Sequence, residues 1–141
     1  MMRTAALLAC TALFTFIATS CGAQSDAEVA EAAGAAEATF REFQTLAIKG
    51  EAEDACSKLT DKAKRMVAGN GVSDSCEAAL TALAQAFAGQ QAKQLARLEK
   101  TEFDVEVDGD TATITVADVS DDEGATLIEI DGTWYVDSIL G

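Results

Sequence analysis

The stretch EFDVEVDGDTATITVADV, residues 102–119, is where the chain changes its period. Phe103, Val105 and Val107 alternate with Asp104, Glu106 and Asp108; past Asp108-Gly109, Ala112, Ile114 and Val116 alternate with threonines. Alternation sends the two sets to opposite faces of a strand. Asp-Gly between two such runs predicts a hairpin that turns at Asp108-Gly109. A second pair follows, TLIEI and TWYVDSIL, joined by Asp131-Gly132. The expectation is an antiparallel sheet of about four strands. Its apolar face would hold Phe103, Val105, Val107, Ile114, Val116, Ile128, Ile130, Trp134 and Val136. Asp104, Glu106, Glu129, Tyr135 and Asp137 would face the other way, unless a bulge reverses one of them. Ile139, after Asp137 and Ser138, points to such a parity change late in the last strand. A sheet apolar on one side is stable only if that side is covered.

Upstream residues supply the cover. From Asp26 to Lys49, Val29, Ala33, Ala36, Phe40, Phe43 and Ala47 recur at helical spacing, and Gly50 can end that helix in the left-handed conformation. A second helix is predicted over Glu51–Val67, with Ala52, Ala55, Cys56, Leu59, Ala63 and Met66 on its stripe and AGNG, residues 68–71, stopping it. Ser73 or Asp74 would cap a third, with Asp74 and Glu77 spaced as a capping box. Its stripe is Cys76, Ala79, Leu80, Leu83 and Phe87; GQQAKQLARLEK, residues 89–100, either continues it or forms a separate helix beyond Gly89. The fold class is therefore α+β, with three or four N-terminal helices on one face of the sheet.

Composition excludes several functions. The chain has no histidine and a net charge of −14, and no Lys or Arg lies between Thr101 and Gly141. Phosphate backbones would repel such a chain, so nucleic acid is not an expected partner. Imidazole chemistry is excluded outright. No inward acid–base pair can be read from the alternation, so no catalytic residue, cofactor or metal is assigned. Asp104-x-Glu106-x-Asp108-Gly109 begins like a calcium loop, but its alternation says strand. The turn DVSDDEG, residues 118–124, is the better place for weak calcium binding, against a plain solvated acidic loop. Like charges on the outer sheet face would repel a second copy, which favours a monomer.

The N-terminus reads as an export signal. Arg3 precedes an apolar run from Ala5 to about Ala18, too short to span a bilayer, which takes about 20 residues. Ala18, Thr19 and Ser20 before Cys21 resemble the lipobox of bacterial lipoproteins, although Ala18 stands where Leu is usual. That resemblance implies cleavage before Cys21 and a lipid on its sulfur, with a polar tether behind it. Ordinary cleavage after Ala23 is the other reading. The expected organisation is a signal over residues 1–20, a lipidated tether over 21–27 and one domain over 28–141.

Cys56 and Cys76 lie on the apolar stripes of consecutive helices and would both enter an oxidising compartment. A bridge between them closes a loop of about 20 residues, worth roughly 3 kcal/mol in the chain-entropy model. A catalytic thiol would lack a histidine partner, and a zinc site would lack ligands.

GEAEDACSKLTDKAKRMV, SCEAALTALAQAF, VEVDGDTATITV and LIEIDGTWYVDSI, in that order, resemble small exported bacterial lipoproteins with a nuclear-transport-factor-2-like domain. The resemblance covers about Asp26 to Leu140 and rests on Ala55-Cys56, Cys76-Glu77, Gly109-Asp110-x-Ala112 and Asp131-Gly132-x-Trp134. It implies a sheet wrapped around helices with a conical cavity between them. Phe40, Phe43, Trp134 and Val136 are the candidate lining, with plain core as the bland reading. The function expected is a non-catalytic, membrane-anchored, extracytoplasmic module that binds a small apolar ligand or a protein. The alternatives are an enzyme of the dehydratase or isomerase type, or a secreted domain with weak cation binding.

Overall fold

A computed structural model describes residues 25–69, 71–117 and 124–140. The signal, Cys21 and the acidic turn over 118–123 lie outside these residues. The described chain is α+β. Helices α1 (Asp26–Lys49), α2 (Ala52–Ser57), α3 (Asp61–Val67), α4 (Cys76–Ala86) and α5 (Gln91–Lys100) precede strands β1 (Phe103–Asp108), β2 (Thr111–Val116), β3 (Gly124–Ile130) and β4 (Thr133–Leu140). The strands form one antiparallel sheet in chain order. Helices cover a single face, so each strand needs only one apolar side.

Helix α1 has the expected span, Asp26–Lys49, and overlaps the end of the expected tether. Ser25 caps it with a capping box to Glu28, whose carboxylate the Ser25 N–H and hydroxyl hold below its ordinary pKa. Asp26 and Ala27, assigned to the tether, are therefore its first turn. Gly50 ends it in the left-handed conformation, φ 78°. Ala36, Phe40 and Phe43 are buried against the sheet.

The predicted helix over Glu51–Val67 is two helices. Between them Lys58–Thr60 runs beside β4: Thr60 N–H donates to the Val136 carbonyl at 2.9 Å, and Val136 N–H donates to the Lys58 carbonyl at 2.9 Å. The stripe continues through the break because Leu59 is still buried, although its backbone is extended. Thr60 then caps α3 by accepting from the Ala63 N–H. For α4 the cap is Ser75, which accepts from Ala78, rather than Ser73 or Asp74. Only the first part of its stripe, Cys76 and Leu80, is buried; Leu83 and Phe87 are exposed, since no element reaches over the last turn. A short 3₁₀ turn over Ala88–Gln90 then separates α5.

Two strand expectations are corrected. Asp108 pairs with Thr111, so the first turn is Gly109-Asp110. In β3 the inward residues are Ala125 and Leu127, not Ile128 and Ile130. The cause is the two-residue turn Asp131-Gly132, both with positive φ (51° and 79°), which pairs Ile130 with Thr133 and Glu129 with Trp134. Directly opposite residues share a face, so Glu129 stands on the side of Trp134 and Ile128 on the side of Tyr135. Acids on the outer face are thus confined to β1, and threonines fill much of the rest.

The parity change in β4 is real. Thr126 pairs with Ser138 while Leu127 pairs with Val136, which leaves Asp137 as the extra, bulged residue. Its carboxylate accepts from Lys62 Nζ at 2.6 Å and from Thr60 Oγ1 at 2.9 Å. The Lys62 ammonium holds its pKa below the ordinary carboxylate value against the cost of partial burial, and the Thr60 hydroxyl adds a smaller push in the same direction as Lys62.

Cys56 and Cys76 are joined by a disulfide in the core, Cα to Cα 6.2 Å. Cys56→Ser is expected to lower stability by roughly 3 kcal/mol, because the bridge restrains 20 residues of unfolded chain. Equal melting temperatures with and without reductant would show that the bridge contributes nothing.

Thr60→Val should cost about 1–2 kcal/mol through loss of the α3 cap and of one bond to Asp137. A depressed carboxylate pKa stabilises the fold fully above the unfolded value and less as pH falls through the folded one. Wild type should therefore lose this contribution below about pH 4, and the gap between wild type and variant should narrow there. A gap unchanged from pH 7 to pH 3 would rule out the Asp137 contribution.

Candidate functional site

An opening of mixed polarity between helices and sheet is built by the return of α5 along α1. Gln91 Nε2 donates to the Ile48 carbonyl at 3.0 Å, and Arg41 reaches the other end of α5, donating to the carbonyls of Leu98 (2.9 Å) and Thr101 (2.6 Å). Those carbonyls lie where a helix C-terminus lacks partners of its own. Glu37 orients the same guanidinium through a 2.7 Å ion pair, and the group lies 4.5 Å over the Phe103 ring. Phe103 in turn packs edge-on against Phe40, ring centres 5.5 Å apart. The two helices thus run antiparallel, pinned at both ends, and leave a cleft above the outer ends of β1 and β2.

The cleft holds about 320 Å³. Ile48, Leu98, Phe103 and Val116 form its apolar wall; Gln44, Gln94, Arg97 and Thr101 supply the polar groups. Gln44 continues the inward side of α1 one residue past Phe43, where an apolar residue would fit the pattern. Its Oε1 is buried without a hydrogen-bond partner. Arg97 also belongs to the exposed face of α5, along which Lys93 and Lys100 recur. None of the three has a carboxylate within 4.0 Å among the described residues. A larger opening of about 730 Å³ follows β1 past Val29, with Glu106 and Asp108 in its lining.

The residues singled out from sequence fall elsewhere. Phe40, Phe43, Trp134 and Val136 are buried core and line none of the openings described here; the cleft wall is different. Cys56 and Cys76 are bonded to one another. Cys21 and Asp118–Glu123 lie outside the described residues, and Gly124 opens β3. Glu129, now on the inward side, is half-buried at the hairpin end and lines none of these openings, while Tyr135 faces outward. Among the described residues no three Cys, Asp or Glu side chains stand together as a metal site, and no helix is long and apolar enough to cross a membrane. Of the cleft residues, Phe103 and Val116 were assigned to the apolar sheet face; the polar ones were missed. The available signals were a glutamine on an otherwise apolar stripe and basic residues at positions 93, 97 and 100.

Comparison of the chain with protein families, with curated proteins and with solved structures returned no match. The cleft therefore has to be read from its own chemistry.

Gln44→Leu removes a buried, unpaired carboxamide oxygen and puts an apolar group of similar size in its place. It should raise stability by up to about 1 kcal/mol, since an unmade buried hydrogen bond is a cost that an apolar group avoids. A lower melting temperature for the leucine variant would show that Gln44 serves the fold instead.

Proposed function

We propose that this chain is a non-catalytic binding domain of nuclear-transport-factor-2-like form, exported and held at the outer face of a cell membrane by lipid on Cys21. The observation that carries the binding reading is the cleft between α1, α5 and the ends of β1 and β2, with a glutamine in its wall whose Oε1 lacks a hydrogen-bond partner. An apolar opening with a few convergent polar groups is the usual form of a small-molecule site. Support for export comes from the buried Cys56–Cys76 bridge, a feature that persists in oxidising compartments. Helices followed by an antiparallel sheet covered on one face, with a bulge in the last strand, agree with the cone form.

The non-catalytic reading rests on the lining. Acid–base chemistry needs a titratable pair within reach of one substrate atom. The cleft offers amides, a hydroxyl and a guanidinium instead, and the one carboxylate newly placed on the inward side, Glu129, stands at the opposite end of the sheet. Under this reading only Gly22, Ala23 and Gln24 separate the lipid from the Ser25 cap. Those residues reach about 14 Å at most, so the start of α1 stays close to the bilayer. Gln44 lies 18 residues further along, about 27 Å at the helical rise. The cleft is thus at the end of α1 remote from the anchor.

Intact-mass analysis should find a mature chain that begins at Cys21 and carries acyl mass. Cys21→Ser should leave the chain uncleaved or release it from membranes with its fold intact. An unmodified N-terminus at Gln24 would replace the anchor with ordinary secretion. For the binding half, small molecules screened against the full chain by ligand-observed NMR should include a set that compete with one another. A screen without any competing set would remove the binding reading.

A further inference from the structure

We propose that the cleft takes a small organic anion: one carboxylate, carried on an apolar body, with the acid group on Arg97 and the body against Ile48, Leu98, Phe103 and Val116. This rests on the binding reading above and names its ligand class. Acidic residues outnumber basic ones 24 to 10 in this chain, yet no carboxylate is in the lining. Each polar side chain that is there carries a hydrogen-bond donor. Thr101 already donates its hydroxyl to the Arg97 carbonyl, which leaves Arg97, Gln44 and Gln94 to face a ligand.

The charge around the mouth has the same sign. A second depression shares Arg97 and Thr101 with the cleft and is lined by Lys93, Ala96 and Lys100. Glu99 and Glu102, the nearest acids in sequence, are in neither lining. Three cations on one helix face, without a carboxylate in contact among the described residues, make a local positive field on an otherwise acidic molecule. Guanidinium suits a carboxylate because its donors match both oxygens.

Size and polarity limit the rest of the ligand. A cleft of about 320 Å³ is at the small end of the range for such sites, roughly 300–1,000 Å³. Four apolar side chains against one guanidinium favour a single charge on a hydrocarbon or aromatic body over a polyanion. Inorganic phosphate, which has no apolar body, should bind far more weakly. The unpaired atom of Gln44 is its buried Oε1, an acceptor; what it can offer a carboxylate is the Nε2 amide, which in this account is the ligand contact.

The test uses (4-fluorophenyl)acetate as probe and (4-fluorophenyl)acetamide as its uncharged twin, each followed by ¹⁹F NMR against the full chain. The acid should show saturable line broadening, and the amide should bind at least about tenfold more weakly, a difference of about 1.4 kcal/mol. Arg97→Glu should weaken the acid by a similar factor at an unchanged melting temperature, because no hydrogen bond or ion pair of that side chain holds the fold among the described residues. Gln44→Leu should also weaken it while melting no lower than wild type. Equal binding of acid and amide, or acid binding indifferent to Arg97→Glu, overturns the anion assignment and leaves the binding domain standing. Saturable binding of neither probe, together with a screen without competing hits, overturns both.

Discussion

Two backbone hydrogen bonds, between Lys58–Thr60 and Val136, organise most of this fold. They occupy the free edge of β4 at Val136, where the strand would otherwise present unpaired groups to other chains. Satisfying them requires extended backbone at Leu59, so the helix that its neighbours favour is divided into α2 and α3. The division turns α2 so that Cys56 meets Cys76, and it sets Thr60 and Lys62 against the bulge at Asp137. A cap, a salt bridge and a disulfide therefore depend on one short segment that adds itself to the sheet.

Arg41 plays the corresponding part at the other side. Its five donors let one side chain bond Glu37, Leu98 and Thr101 together while its plane lies on Phe103. Lysine could not hold all of these at once. Arg41 grips the end of α5 and Gln91 ties its start to α1, and the cleft lies between these contacts, with Gln44 and Ile48 on one helix and Gln94, Arg97 and Leu98 on the other.

Charge is distributed with a similar logic. The first turn of α1 is acidic, as is the outward row of β1, and most of these groups lie in solvent where repulsion is screened. The basic residues just after α2 and in α3 are mostly paired: Lys58 with Glu42, Lys62 with Asp137, Lys64 with Asp61. Those of α5 are not paired in this way. Among the described residues Lys49 and Arg65 also stand without a carboxylate in contact, but α5 sets three such cations on one helix face beside a cleft.

Local pattern determined the elements. Period 3.6 up to Lys100 and period 2 after Phe103 are properties of neighbouring residues, so they could be read directly; so could Gly50 as a stop and the turn at Asp131-Gly132. The pairing of Cys56 with Cys76 was legible because both lie on apolar stripes of adjacent helices. The parity of β3 was locally ambiguous, since TLIEI has apolar residues on both sides. The two-residue turn decides it by setting Glu129 opposite Trp134. Only the tertiary structure could break the helix at Leu59, because the competing partner, Val136, is 77 residues away. The same holds for the cleft. Its walls come from α1, α5, β1 and β2, and an opening is a property of what distant elements leave unfilled, which no window of sequence contains. Phe40, Phe43, Trp134 and Val136 carried the apolar signal that sequence can report, and apolar signal marks what is packed shut. Gln44 and Arg97 carried the weaker one, polarity where the pattern did not require it, and only the fold brought them to one place.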